Sequence, residues 1–478
     1  MGGRERGWSA VPLGRTWQIV AGSAAIGLAV AAGAVAAAGP WESGQRTAER
    51  SYAAARDRVQ DPPGRPGRPT ASPRAAAPTP SAAPVLVPAP VSLHAAGQSA
   101  AGPAASPRLA ARLDALMRAD GLGPVRTGAV VDVAAGRLVY DHGAATASTP
   151  ASTTKLATAV AALGLLGPDH RLTTTVVATG PHRVVLVGGG DPTLELGGLA
   201  ADTAKALKAR GTTSVHLAYD TSYFTGPALH PIGYNDNLAP VTALMVREGR
   251  LDRSTSGPAQ RAQDPAGAAA SAFAALLEKR GITVDGSPAP GRGAGGTRLA
   301  VHRSAALSEL VERMLTTSDN DLAEALARQA ARAGRLPAAF TGAAKAIPLA
   351  LKRYGVPLDG AVFTDGSGLD HRDRLAPLTL ARLLALAADP AHPELRSVLT
   401  GLPVAAFTGT LADRFRASPG AGVVHAKTGT LTGTNTIAGT TVSPAGRLLA
   451  FSFMTQGAPD ATAAQDALDR LAAALTRP

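Results

Sequence analysis

The chain has 478 residues, a formal net charge of +12 and an isoelectric point near 10.5, and it contains no cysteine. That length allows two or three domains with sizeable cores, and the missing thiols exclude disulfides, thiol catalysis and thiolate metal sites. Positive charge alone would suit nucleic acid, but aromatic residues make up only 4% of the chain, the arginines are scattered, and no zinc-finger, homeodomain or RNA-recognition pattern occurs, so no nucleic-acid partner is expected.

Residues 1–17 are polar or small and carry Arg4, Arg6 and Arg15. An uncharged Ala/Gly/Val/Ile run follows over 18–39. About 20 such residues are enough to cross a bilayer, and arginines ahead of them predict an N-terminus in the cytoplasm with the remainder outside. The same run reads alternatively as a cleaved signal, with Ala36, Ala37 and Ala38 as the small residues at the cut. Either way the expected location is extracytoplasmic, at the membrane or released from it. Residues 40–107 are rich in Ala, Pro, Ser and Arg, and prolines such as Pro62, Pro63, Pro78 and Pro80 oppose helices and central strands. A disordered linker is expected there.

Folded sequence begins near Arg108. Residues 108–120 carry Leu109, Leu113, Leu116 and Met117 on one helical stripe. A hairpin is predicted from 128–133 and 137–142. A helix opens near Ser152, strands follow at 172–178 and 183–187, then a glycine turn at 188–190. Helix 199–210, strand 214–219 and helix 268–280 come next, then helices 306–315, 321–332 and 378–388. Strands at 423–428, 434–442 and 447–454 and a helix at 460–475 complete the chain. Strands at both ends with a mixed middle imply an α/β core, 108–178 and 296–478, carrying an inserted region at 179–295.

Three short motifs stand in order: Ser152-x-x-Lys155, Ser318-Asp319-Asn320 and Lys427-Thr428-Gly429. Each occurs once. A serine hydroxyl is a poor nucleophile until a base takes its proton, and Lys155, one turn on, is placed to be that base if its amine is neutral. Arginine supplies nearly all the positive charge and cannot be a base, which singles out the few lysines. Lys427 is expected to repel Lys155, lowering its pKa, and to attract an anionic substrate. Ser318 is suited to relay a proton to a leaving amine and Asn320 to hold Lys155 and a substrate amide. Lys427, Thr428, Gly429 and Thr430 read as an exposed edge strand for an extended peptide, with hydroxyls for a terminal carboxylate and a glycine for close backbone approach. The N–H groups of Ser152 and Thr430 would form an oxyanion hole. Read singly, the second motif is a helix N-cap, the third a strand end, and Asp365-Gly366-Ser367-Gly368 a structural turn. With ten histidines and no paired ligand motif, neither metal nor cofactor is expected.

Together the motifs resemble the signature of penicillin-binding proteins and class A β-lactamases. Further stretches narrow the resemblance: Gly188-Gly189-Gly190-Asp191-Pro192, Met314-Leu315 before the second motif, Ala323-Glu324 after it, Asp365-Gly366-Ser367-Gly368-Leu369 and Thr430-Leu431. From Arg108 onward the chain is similar to the D-alanyl-D-alanine carboxypeptidases and endopeptidases of the low-molecular-mass class C penicillin-binding proteins. That resemblance implies a penicilloyl-serine transferase (β-lactamase/transpeptidase-like) α/β sandwich interrupted after the nucleophile helix. It implies hydrolysis of peptidoglycan stem peptides through an acyl-enzyme on Ser152, covalent inhibition by β-lactams, and no metal. Two departures stand out. The interval from Lys155 to Ser318 is short, and Arg247 replaces the asparagine expected in the segment 241–249. The alternatives of the same fold are a serine β-lactamase, for which Glu324 is the glutamate after the second motif, and a non-hydrolytic penicillin-binding sensor.

Overall fold

The computed structural model describes residues 107–478. The tail 1–17, the apolar run 18–39 and the linker up to residue 106 lie outside the described residues. Among the described residues no helix is long and apolar enough to cross a membrane.

Helix α1 (Pro107–Met117) leads into strands β1 (Val125–Asp132) and β2 (Arg137–His142), and then helix α2 (Thr154–Leu166). Strands β3 (Thr173–Gly180) and β4 (Arg183–Val187), helix α3 (Leu196–Lys208), strand β5 (Ser214–Asp220) and helix α4 (Pro265–Glu278) follow, with short strands β6 (Thr283–Val284) and β7 (Ala289–Pro290) and then β8 (Thr297–Arg303). Helices α5 (Leu307–Thr317), α6 (Asn320–Ala333), α7 (Phe340–Arg353), α8 (Pro377–Ala388) and the short α9 (Arg396–Thr400) form the next block. Strands β9 (His425–Leu431), β10 (Thr434–Val442) and β11 (Leu448–Gln456) and helix α10 (Ala461–Ala474) close the chain.

One five-stranded sheet joins the two ends of this sequence in the order β2-β1-β11-β10-β9, antiparallel throughout. Its strands are covered on both faces, and the period of two sorts their side chains. Val130, Ile437, Phe451 and Phe453 pack with Leu113 and Met117 of α1 and Leu468 and Leu471 of α10. Residues of the opposite parity, Ala438, Ala450 and Met454, pack into the helical layer of α2, α5, α6, α7 and α8. Helix α2, apolar over most of its surface beyond its first turn, fits the centre of that layer, with Leu156 through Leu163 buried.

The second sheet runs β6-β5-β4-β3-β8, with β7 also on β5. Its strands pair β3 with both β4 and β8, so it spans residues 173–303. The sequence predicts 172–178 within the α/β core and an insert from 179; the ladder instead places β3 and β8 together in the second sheet, where each pairs with the other's backbone groups. Helices α3 and α4 cover one face of that sheet through Leu199, Leu207, Phe273 and Leu277. Neither β8 nor α7 is predicted from the sequence, nor are the short β6, β7 and α9; α7 carries Pro348 in its interior, a residue that argues against a helix when read locally.

Candidate active site

Ser152 sits in one turn of 3-10 helix, Ala151–Thr153, from which α2 continues. The sequence predicts an ordinary first helical turn; the tighter turn brings side chains three apart nearly into eclipse. Ala151 before it adopts φ 49°, a left-handed value that costs an L residue energy and concentrates at functional sites. Lys155 Nζ lies 2.9 Å from Ser152 Oγ, 2.6 Å from Asn320 Oδ1 and 2.7 Å from the carbonyl oxygen of Ser367. Asn320 Nδ2 donates to the Asn237 carbonyl at 2.9 Å, which fixes the orientation of its amide.

The second motif bridges α5 and α6. Ser318 ends α5 in the left-handed region with φ 59°, and Asp319 caps α6 by accepting from the Leu322 N–H. The capping and catalytic readings of this motif are therefore compatible: Asp319 makes the cap, while its neighbours face the site. Lys427 Nζ donates to Ser318 Oγ at 2.8 Å and to the Thr428 carbonyl at 2.7 Å. Strand β9 is the edge of its sheet, but it is less exposed than its position suggests: Lys427 and Gly429 are buried and Thr430 alone of the four is open. At Gly429 a Cβ would stand 2.2 Å from Thr436 Oγ1, 2.8 Å from the Pro150 carbonyl and 3.0 Å from the Ser152 nitrogen, so glycine permits strand and nucleophile turn to touch.

All eight residues singled out from the sequence converge. Ser152, Ser318, Asn320, Thr428 and Thr430 line a groove of about 320 Å³; Lys155, Lys427 and Gly429 stand buried behind it. The groove also has Asn237, Arg250, Arg261, Thr410 and Arg414 on its walls, none marked by a motif. Thr410 Oγ1 meets Thr428 Oγ1 at 2.8 Å.

Burial lowers the Lys155 amine to about 8, against the opposing pull of the Asp365 and Glu324 carboxylates. Burial also holds Lys427 well below its usual value, with repulsion by Lys155 second. The repulsion expected at Lys155 thus falls on Lys427, and desolvation is what perturbs Lys155.

Beneath Lys155 the turn at 365–369, read from sequence as structural only, supplies the Ser367 carbonyl. Its signal was invisible to residue types because a backbone oxygen does the work. Glu324 is fully buried, with Oε1 accepting from the N–H groups of Gly366 and Ser367 at 3.0 and 2.8 Å. Burial, then the charge of Asp365, raises Glu324 to about 7. It does not face the groove, which removes it from the place a deacylating base would occupy. His230, Glu324 and Asp365 each bring one potential ligand atom within 4.8 Å of the others. Asp365 Oδ2 is already taken by the Asp370 N–H and His230 Nε2, so this trio is built as a hydrogen-bonded network rather than as an open cation site.

A serine beside a buried lysine, two further polar motifs and an edge strand on a helix-covered antiparallel sheet define a penicillin-binding-protein-like α/β enzyme. The crystal structure of penicillin binding protein 4 (dacB) from Haemophilus influenzae shares this fold with a TM-score of 0.65 at 22% identity, covering 75% of this chain and 98% of that one. Carboxypeptidase DacB of Mycolicibacterium smegmatis is 36% identical over 390 residues, 77% of this chain and 83% of its own. A D-alanyl-D-alanine carboxypeptidase of Actinomadura sp. is 30% identical over 462 residues, 74% of this chain and 82% of its own. Residues 109–260 and 252–475 match the D-Ala-D-Ala carboxypeptidase 3 (S13) family. The chain belongs to that family and is a D-Ala-D-Ala carboxypeptidase.

Proposed function

We propose that Ser152 is the nucleophile of an acyl-enzyme reaction on the terminal D-Ala–D-Ala bond of peptidoglycan stem peptides. The observation that supports it most directly is the three-way setting of Lys155 Nζ between Ser152 Oγ, Asn320 Oδ1 and the Ser367 carbonyl. A neutral amine has two N–H groups and one lone pair. Asn320 Oδ1 and the Ser367 carbonyl accept only, so they take the two N–H groups and leave the lone pair facing the Ser152 hydroxyl.

Lys155 takes the hydroxyl proton as Oγ attacks the carbonyl carbon of the penultimate D-Ala. The oxyanion is held by the N–H groups of Ser152 and Thr430, with about 3–4 kcal/mol expected per donor. The C–N bond then breaks, and the departing D-Ala nitrogen takes the proton of the Ser318 hydroxyl, which also accepts from Lys427. The proton held by Lys155 makes this good, so Lys155 is neutral again. Lys155 then takes a proton from the water that attacks the ester carbonyl and returns it to Ser152 Oγ as the acyl bond breaks and the acid leaves. Lys427, Thr428 and Thr430 receive the terminal carboxylate, and Gly429 keeps the strand close to the nucleophile. A β-lactam mimics the scissile bond and acylates the same oxygen. The reaction takes place on the outer side of the cell membrane, a reading that rests on the arginine-flanked apolar run at 18–39.

The test is labelling of the protein by a fluorescent penicillin beside Ser152→Ala, followed by release of D-Ala from a D-Ala–D-Ala-terminated peptide. Labelling lost in Ser152→Ala, with D-Ala release by the parent, is the expected result. Labelling that survives Ser152→Ala refutes the assignment of the nucleophile. Labelling without release from monomeric or cross-linked peptides would make the protein a sensor.

A further inference from the structure

Among the contacts of the inserted region behind the active site is one histidine bonded to the 365–369 turn. His230 lies between β5 and α4, is 3% exposed, and stands edge-on to Phe340 of α7 with ring centroids 5.1 Å apart. The chain leading to it is fixed by Arg328 of α6, which donates to the Thr225 and Pro227 carbonyls at 3.2 and 2.9 Å. Its Nδ1 faces the Ile232 N–H at 3.2 Å, and its Nε2 faces Asp365 Oδ2 at 3.0 Å. A backbone N–H can only donate, so Nδ1 is the acceptor and the ring proton sits on Nε2.

Asp365 passes this anchoring on. Its Oδ1 accepts from the N–H groups of Ser367 and Gly368 at 3.1 and 2.6 Å. In a planar trans peptide the N–H and C=O point in opposite directions. Binding the Gly368 N–H to Asp365 therefore aims the Ser367 carbonyl the other way, at Lys155 Nζ. The turn packs closely on the residue before Ser152: Gly368 has φ 79°, and a Cβ added there would lie 1.9 Å from the Ala151 carbonyl oxygen.

We propose that His230 is a positioning residue for acylation: by anchoring Asp365 it fixes the Ser367–Gly368 peptide, whose carbonyl turns the Lys155 lone pair toward Ser152. This rests on the roles proposed above for Ser152 and Lys155. Without the Ser367 carbonyl the amine keeps one acceptor, Asn320, and rotates about its Cε–Nζ bond.

The test compares acylation by a penicillin in the parent, His230→Leu and His230→Gln, with circular dichroism and thermal unfolding on each. His230→Leu is expected to lower the acylation rate constant by about ten- to a hundredfold with the pre-covalent binding constant unchanged. His230→Gln, which keeps a donor, is expected to stay within about threefold of the parent. A folded His230→Leu protein that acylates at the parental rate overturns the proposal, as does a His230→Gln protein as slow as the leucine variant. Should His230→Leu fail to fold, ¹⁵N NMR of the parent decides: a ring protonated at Nε2, neutral or cationic, supports the proposal, and a neutral ring protonated at Nδ1 alone refutes it. Parental acylation in His230→Leu that still depends on Ser152 sinks only the role of His230; labelling independent of Ser152 sinks the catalytic reading beneath it.

Discussion

Lys155 is the residue on which the proposed chemistry turns, and its surroundings push it in two directions. Burial lowers the amine to about 8 while Asp365 and Glu324 hold it up. At pH 7 a pKa near 8 leaves about a tenth of the amine neutral, against about one part in a few thousand at the ordinary lysine value. With the neutral form as the proposed base, acylation by a penicillin is expected to rise with pH up to about 8 and level off above it. A stopped-flow pH profile checks this; a flat profile, or a limb near the ordinary lysine value, would take the base role from Lys155. Lys155→Arg is expected to abolish acylation, since a guanidinium does not deprotonate in a protein. Gly429 tests the geometry from the other side of the groove. Gly429→Ala forces the strand away from the Pro150–Ser152 turn. The expected result is acylation slowed by about a hundredfold in a protein that still folds, measured by labelling rate and circular dichroism.

At the scale of elements, α6 does most to assemble the site. Asn320, Glu324, Arg328 and Arg332 recur every fourth residue and so share one face. In the sequence such a stripe of polar residues reads as the solvated side of a helix. In the structure Asn320 bonds Lys155, Glu324 bonds the turn behind it, and Arg328 reaches the insert, while Arg332 alone is exposed. Period identified the helix but not which face is wet, because the buried polar groups find partners far away in the chain. The motif residues are legible because the side chains that converge at the groove are themselves the motif. His230 and the Ser367 carbonyl were not, the first having no spacing to a motif and the second no side-chain identity at all. Arg328 is fully buried against Phe340, with its guanidinium 4.4 Å from the ring centroid. Arg328→Met leaves backbone carbonyls without a donor and is expected to cost about 2–4 kcal/mol. Arg332→Ala removes a guanidinium 3.9 Å above the Tyr223 ring at an exposed position, with about 0.5–1 kcal/mol expected. Urea unfolding distinguishes them; equal midpoints for the two variants would contradict a buried anchoring role for Arg328.

For the whole molecule the question is whether the second sheet is a detachable accessory. Its ends meet: the Ser304 N–H donates to the Leu172 carbonyl and the Ser304 hydroxyl accepts from the Leu172 N–H, both at 2.9 Å. Residues 173–303 are thus replaceable, as a matter of chain closure, by a two-residue turn. Cutting at the sequence-derived limits, 179 and 295, would instead leave β3 and β8 behind without their sheet. Chain closure is not the obstacle; what the insert supplies to α5, α6 and the 365–369 turn is. Asp321 accepts from the Ala239 N–H and pairs with Arg261 at 3.0 Å, both side chains nearly inaccessible. Arg313 pairs with Glu248, Asn320 leans on Asn237, and Asp365 on His230. Breaking a buried pair such as Asp321–Arg261 by removing one partner costs about 3–5 kcal/mol, a large part of the entire stability of an ordinary domain, about 5–15 kcal/mol, before the other contacts are lost. The excised protein is therefore expected to lose Ser152 labelling together with cooperative unfolding. Labelling at the parental rate after excision would show that α6 and the 365–369 turn hold their geometry alone, and that the insert serves something other than the reaction.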